Sequence, residues 1–253
     1  MSESLTPETR FSDRVQDYMR SRPGYPVGVL DLLRREAGLG PESVVADIGS
    51  GTGIFTALLL PRAATVYAVE PNPEMRGAAE ELLTGFAGFQ SVAATAQDTT
   101  LPDRSVDLIV AAQAFHWFNT LETRAEFSRI LKPSGKIVLI WNERKLDATP
   151  FLRDFEALLL RFGTDYGKVR HENIDLAAMD AFFHGTYAAH FFANEQRFDF
   201  DGLKSRLLSA SYAPGPRHPE FEPMIDRLRQ IFDRHQADGR VTMEYRTAVY
   251  IGE

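Results

Sequence analysis

The sequence predicts an α/β protein built on an open, mostly parallel sheet with helices on both faces. Three observations predict it. First, the runs 43–48 (SVVADI), 64–69 (ATVYAV), 91–95 (SVAAT), 106–111 (VDLIVA) and 136–141 (KIVLIW) are almost continuously apolar, as strands are when both faces are covered. Second, helix-like runs at 53–61, 73–84 and 121–131 fall between them, the alternation of parallel strands with crossover helices. Third, the glycine-rich stretch VVADIGSGTGIF, 44–55, joins the first strand to the first of these helices.

The flanking elements follow in order. Residues 5–22 are expected as an amphipathic helix with Phe11, Val15 and Tyr18 on one side, broken by RPGYP at 22–26. A second helix is expected over 27–38, ending at Gly38. Beyond Trp141 come a helix at 150–162, the Phe-rich segment FFHGTYAAHFFANEQRFDF, a helix at 201–210, the breaker YAPGPRHP and a helix at 219–236. The last run, VTMEYRTAVYI at 241–251, alternates and stands alone, so it is placed antiparallel at the sheet edge. There is no internal repeat, low-complexity tract or obvious linker.

Bulk properties narrow the function classes. The 253 residues are 44% hydrophobic and 25% charged with a net charge of −7, ordinary for a globular protein and unlike the basic balance of a general nucleic-acid binder. With no cysteine, a disulfide framework, a thiolate zinc site and a cysteine nucleophile are excluded; that fits a reducing compartment, and a cytoplasmic location is expected. The opening MSESLTPETRFSDRVQDY is polar and charged, unlike a secretory leader, and no apolar stretch approaches the roughly 20 residues that span a bilayer. No metal is expected: His184 and His190 lack helical ligand spacing.

The glycine stretch carries the chemistry. In a doubly wound sheet, ligands bind at the carboxyl ends of the strands near the switch point. Gly49, Gly51 and Gly53 permit a sharp turn and close approach of a ligand to the backbone, and the N–H groups at a following helix start are available. A phosphate-cradling GxxxxGK loop needs a lysine that is missing here. A dinucleotide loop, GxGxxG, fails in both registers, at Ile54 and at Thr56. A third ligand, S-adenosylmethionine, has no phosphate and carries a sulfonium and an amino group; Asp47, just before the loop, suits a cation better than a pyrophosphate. Glu70 ends the second strand nineteen residues after Gly51. A carboxylate there can accept both ribose hydroxyls, whether of NAD or of S-adenosylmethionine. An NAD-linked oxidoreductase and a non-catalytic cofactor-binding module stay open as alternatives.

VVADIGSGTG, VEPNPEM, ATAQDTTLPDRSVDLIVAAQAFHWF and LKPSGKIVLIW together resemble class I S-adenosylmethionine-dependent methyltransferases, and in particular the small-molecule branch that includes trans-aconitate-methyltransferase-like proteins. YMRSRPGYP, AFHWF, WNER and SASYAP are the features similar to that branch. The resemblance implies a Rossmann-like, seven-stranded sheet of order 3-2-1-4-5-7-6. It implies a single domain with an N-terminal helical lid (1–39), a cofactor core (40–145) and a substrate-shaping part (146–253). It implies that Asp47, Gly49, Ser50 and Gly51 line the methionine part of the cofactor, that Glu70 and Pro71 hold the ribose and flank the adenine, that Ala96 and Gln97 sit at the adenine, and that Gln113 lies near the transferring methyl.

Methyl transfer from a sulfonium is an in-line displacement in which the donor loses its charge, so holding the acceptor in line in a dry pocket supplies most of the catalysis. A base is required only for an acceptor that loses a proton, whereas a carboxylate acceptor requires a cationic clamp. By position, His116 is the candidate base or hydrogen-bond donor, Arg144 the candidate carboxylate grip, Tyr212 a residue that closes over the acceptor, and Tyr18 and Arg22 a lid over the cofactor. Each has a plain structural alternative: aromatic packing for His116, a surface or ion-paired arginine for Arg144, core packing for Tyr212 and a rigid corner for RPGYP. A small-molecule acceptor is expected, and neither nucleic acid nor membrane; no Asp/Asn/Ser-Pro-Pro-Tyr segment of nucleic-acid methyltransferases is present.

Overall fold

The structure, a computed structural model, describes residues 22–164, 166, 176–210 and 212–253. The expected helix at 5–22, with Tyr18, therefore lies outside the described residues, apart from Arg22, which sits in a bend.

The chain runs α1 (Val27–Glu36), β1 (Val44–Ile48), α2 (Thr56–Leu59), β2 (Thr65–Val69), α3 (Pro73–Leu83), β3 (Phe89–Val92), β4 (Val106–Ala112), α4 (Leu121–Ile130), β5 (Leu131–Arg144), α5 (Pro150–Phe162), α6 (Leu176–Phe182), β6 (Tyr187–Phe198), α7 (Phe200–Leu208), α8 (Phe221–His235) and β7 (Val241–Gly252). Sequence start signals are used as written. Asn72, Thr120, Thr149 and Asp199 each cap a helix by accepting a backbone N–H, and Pro73 and Pro150 occupy first-turn positions whose N–H would find no helical partner.

The seven strands form one sheet of order β3-β2-β1-β4-β5-β7-β6. Pairing is parallel from β3 to β5 and antiparallel where β7 joins β5 and β6. The last run is thus antiparallel as its alternation predicts, but it is not an edge strand. β7 is inserted between β5 and β6, and the Phe-rich segment supplies the edge. The reason is visible in burial: residues 247–252 of β7 are all buried, which an edge position facing solvent would not permit. The third strand lies two residues earlier than its apolar run suggests. β2 ends at Val69, which pairs with Val92, so nothing beyond Val92 has a ladder partner. The first crossover helix is also shorter than the run 53–61, because residues 53–55 are still turning out of the glycine loop.

Three apolar clusters cover the sheet. One face carries Val45, Val66, Val138, Ile140, Val249 and Ile251 against α1 and α3. The opposite face carries Ile109, Ile137, Leu139, Trp141 and Tyr250 against α4 and the Phe115–Phe182 pair. The third cluster gathers α5, α7 and α8 on the start of β7, through Val241, Met243 and Tyr245. β7 therefore contributes to all three. All carboxyl ends of the parallel strands, and the site they carry, lie at one end of this sheet.

Candidate functional site

β1 delivers Asp47 to the sheet's carboxyl end, and the chain then turns through Gly49, Gly51 and Gly53, all at positive φ. The turn needs glycine twice over. At Gly49 (φ 69°) a Cβ would stand 2.6 Å from that of Ala114, and at Gly53 (φ 81°) 2.7 Å from Leu83 Cδ1, so a side chain meets both backbone strain and a clash. The amides of Gly49 and Ser50 donate to Val69 O at 2.9 and 3.2 Å, which ties the loop to the end of β2.

Glu70, buried at that strand end, braces the same loop. Its Oε2 accepts the Gly51 N–H at 2.9 Å and its Oε1 the Asn72 N–H at 2.8 Å. The Gly51 N–H is therefore committed to Glu70 rather than held ready for a ligand, while each carboxylate oxygen keeps further lone pairs. Pro71, half-buried, follows, and its carbonyl together with that of Glu70 receives Arg76 Nη1.

Asp47 is 1% exposed. Its Oδ2 accepts the Thr56 hydroxyl at 2.6 Å, and its Oδ1 has no partner among the described residues. Burial pushes its pKa up to about 7, opposed by the Thr56 bond and aided by the charge of Glu70. On the loop that follows and just past β4, Ser50 Oγ, Thr52 Oγ1 and Gln113 Oε1 are also buried without a hydrogen-bond partner among the described residues. Buried polar atoms are ordinarily satisfied; four unsatisfied ones at the ends of the neighbouring strands β1 and β4 describe a place built for a polar ligand. A cation with hydrogen-bond donors fits it, since Asp47 Oδ1 and Gln113 Oε1 are both acceptors. Thr52 and Thr56 were not singled out by the sequence; their only signal is their place within and just after GSGTG.

Gln113 follows β4 directly in the left-handed region, φ 60°, a conformation a non-glycine residue adopts at a cost. Its N–H donates to Ile140 O at 2.8 Å and its Nε2 to Asn142 O at 3.1 Å, so both donors are spent on β5 while the amide oxygen is not. Ala96 is buried and Gln97 exposed on the loop after β3. That loop is pinned to α4 by Glu126, whose Oε1 accepts both the N–H (2.8 Å) and the hydroxyl (2.5 Å) of Thr99, while Arg129 binds Glu126 and Asp103. Arg129 and then Thr99 hold the Glu126 carboxyl down to about pH 2.

The acceptor-side candidates form a chain of contacts. His116 lies in the 3-10 turn Phe115–Trp117 with its ring 4.7 Å from that of Trp117. The residue is exposed, yet desolvation by the groups around its ring, with the charge of the Arg22 guanidinium, lowers its pKa to about 4. Arg22 Nη2 in turn donates to Ser209 O at 3.4 Å. In the same SASYAP segment, Tyr212 is buried, its ring 4.8 Å from Tyr166 and its carbonyl accepting the amide and hydroxyl of Thr164. Tyr166 accepts from Arg144 Nη2 at 2.9 Å and donates to Glu156 at 2.7 Å. Arg144 is not a surface arginine, and its ion-pair partner is Glu156 rather than a neighbour of Glu143. Its guanidinium lies 5.3 Å over the Phe155 ring, and its Nη1 is buried without a partner among the described residues. Glu143 pairs instead with Arg246. Among the described residues no cluster of metal-ligating side chains occurs, and no helix is long and apolar enough to cross a membrane.

Residues 46–139 match the family model described as a methyltransferase domain. An uncharacterised methyltransferase-like protein of Schizosaccharomyces pombe is 36% identical over 166 residues, 65% of this chain and 63% of that one. An uncharacterised methyltransferase of Mycobacterium tuberculosis is 38% identical over 134 residues, 53% and 52% of the two chains. These alignments thus span about half to two thirds of the relatives' own length. Among solved structures, a candidate type II methyltransferase from Anaeromyxobacter dehalogenans superposes with a TM-score of 0.64 at 20% identity, covering 92% of this chain and 97% of that one. A candidate methyltransferase from an antibiotic biosynthesis pathway of Anabaena variabilis gives 0.62 at 19%, covering 92% and 98%. At such identities the likeness is one of fold.

Proposed function

We propose that this chain, whose residues 46–139 match a methyltransferase domain, is a class I S-adenosylmethionine-dependent methyltransferase, and that it methylates a small molecule bearing a carboxylate at the carboxyl end of β1 and β4. The observation that supports this most directly is the group of four buried, unpartnered polar atoms of Asp47, Ser50, Thr52 and Gln113 around the glycine loop.

When bound, S-adenosylmethionine supplies a methyl group on a positively charged sulfur, ready for in-line displacement. The protein's own residues do the rest. Asp47 and Gln113 present acceptor oxygens to a cationic amino-acid moiety, and Gly49, Ser50 and Gly51 let the backbone lie close to it. Glu70 has lone pairs left for ribose hydroxyls after bracing Gly51 and Asn72. Pro71, Ala96 and Gln97 form the adenine wall, which Glu126 holds through Thr99. Arg22, next to the glycine and proline of RPGYP, closes over the site.

On the acceptor side, the free Nη1 of Arg144 offers a charge-assisted donor to a carboxylate, with Tyr212 and Tyr166 packed behind it. His116, with its pKa held at about 4, is neutral at pH 7. It therefore serves better as a hydrogen-bonding orienter than as a strong base, and a carboxylate acceptor needs no base. A neutral imidazole also avoids repelling the sulfonium. Residues 146–253 shape the acceptor pocket in this reading.

Calorimetric titration with S-adenosylmethionine, against NAD and a Glu70→Ala variant, tests the cofactor half. Micromolar binding lost in E70A is expected; tight NAD binding would instead favour an oxidoreductase. A methyl-transfer screen over small carboxylates tests the acceptor half. Turnover of a carboxylate that is lost in Arg144→Ala is the expected result, and exclusive turnover of uncharged acceptors would refute it.

A further inference from the structure

Asn142 follows the apolar run IVLIW with an amide side chain, and it is 4% exposed. It shares a sheet face with Val138 and Ile140 and pairs in register with Thr247. On that face, the first apolar cluster ends at Val249 and the third begins at Tyr245, so Asn142 and Thr247 form a polar layer between two apolar ones. A hydrophobic pair would fill this layer at lower desolvation cost. The amide must therefore be explained by what it binds.

Each of its polar groups is used. Oδ1 accepts the Thr247 hydroxyl at 2.5 Å and Asn194 Nδ2 at 3.1 Å. Nδ2 donates to Gly24 O at 3.1 Å and reaches Pro23 O at 3.5 Å. Asn194, on β6, also donates to Gly24 O, at 2.9 Å. Two amides from two strands thus converge on one backbone carbonyl of the segment 22–26. That segment has no helix or strand of its own to fix it, and its first residue is Arg22, the cation beside His116. The backbone carbonyl of Asn142 meanwhile holds the Gln113 amide, so one residue adjoins both walls of the site.

We propose that Asn142 and Asn194 are positioning residues that latch the 22–26 segment through Gly24, and thereby set Arg22 over the cofactor and the strand-four loop. This rests on the assignment of the site in the preceding section. The latch fixes a short length of backbone whose neighbour does the contacting, and so it acts on ligand affinity through Arg22 rather than by touching the ligand.

The test is a double-mutant cycle read by calorimetric titration with S-adenosylmethionine. It compares the wild-type protein, Asn142→Ala, half-exposed Asn194→Ala, Arg22→Ala and the two doubles with R22A. The Ala substitution leaves the Asn142 backbone carbonyl, and hence the Gln113 contact, in place. N142A is expected to weaken binding about tenfold and N194A about threefold, the scale of one or two hydrogen bonds. Neither should weaken binding further in the R22A background, because the residue through which the latch acts is then gone. A merely structural role would lower the thermal midpoint and add to the R22A loss. Wild-type affinity in N142A, wild-type affinity in R22A, or additive losses would each overturn the latch alone. Failure of the wild-type protein to bind would overturn the assignment of the site, and the latch with it.

Discussion

Asp47 is held at the end of β1 by a fold that disfavours its charge: burial pushes its pKa up to about 7. A carboxyl raised in this way contributes stability that is fully present below about pH 4 and lost as pH rises through 7. Asp47→Asn should therefore be more stable than the wild type at pH 8 in denaturant titrations, with the gap closing below about pH 4. It should also bind a cationic cofactor less tightly. Binding of S-adenosylmethionine restores the ionised form, so at pH 6 it should release a proton. Titrations in two buffers of different ionisation enthalpy would then give different heats, and equal heats would show that Asp47 does not meet the cation. Much of this was legible: Asp47, the glycines and Glu70 stand out by spacing alone. The lost Gly51 N–H was not, because that bond joins residues nineteen apart across a fold the string does not display. Arg144 shows the same limit, since the carboxylate it pairs with lies on α5, twelve residues on.

Between residue and fold stands the clamp of α4 on the loop after β3. Glu126 takes two hydrogen bonds from Thr99 and two from Arg129. A carboxyl depressed to about 2 contributes stability that is present above its ordinary value near 4.5 and lost as pH falls toward 2. Glu126→Gln should thus lower the thermal midpoint at pH 7, with the difference from wild type vanishing near pH 2. A constant offset across that range would mean that the charge plays no part. In the proposed site the same variant loosens the adenine wall, so its affinity for S-adenosylmethionine should fall at pH 7. Helices with local start signals were readable from the string, because caps and prolines are local: 150–162 coincides with α5, and 73–84 overshoots α3 by one residue, whereas α6 was not among the expected helices. The clamp was not readable, because a glutamate in a helix's middle looks like any solvated position.

At the scale of the whole molecule, the distribution of apolar clusters decides cooperativity. Leu228 of α8 is fully buried in the cluster formed by α5, α7 and α8, far along the chain from both tryptophans, Trp117 and Trp141. Because β7 supplies residues to all three clusters, loss of that cluster should be felt throughout. Leu228→Ala should cost about 2–5 kcal/mol, and should move the tryptophan-fluorescence and far-UV circular dichroism midpoints together. A fluorescence transition left unmoved would show that the glycine-loop half unfolds on its own. The strand order followed from family likeness, whereas alternation alone put β7 at the edge; period-two patterning reports which faces are wet, not which neighbours a strand has. That insertion has a consequence for biosynthesis. β6 precedes β7 along the chain yet pairs with nothing else in the sheet, and β5 lacks its second neighbour until β7 arrives. A nascent chain emerging from the ribosome must therefore carry two unpaired strand borders until residues 241–252 are translated. A chain interrupted before residue 241 would keep both of those strands open and be prone to aggregate through them.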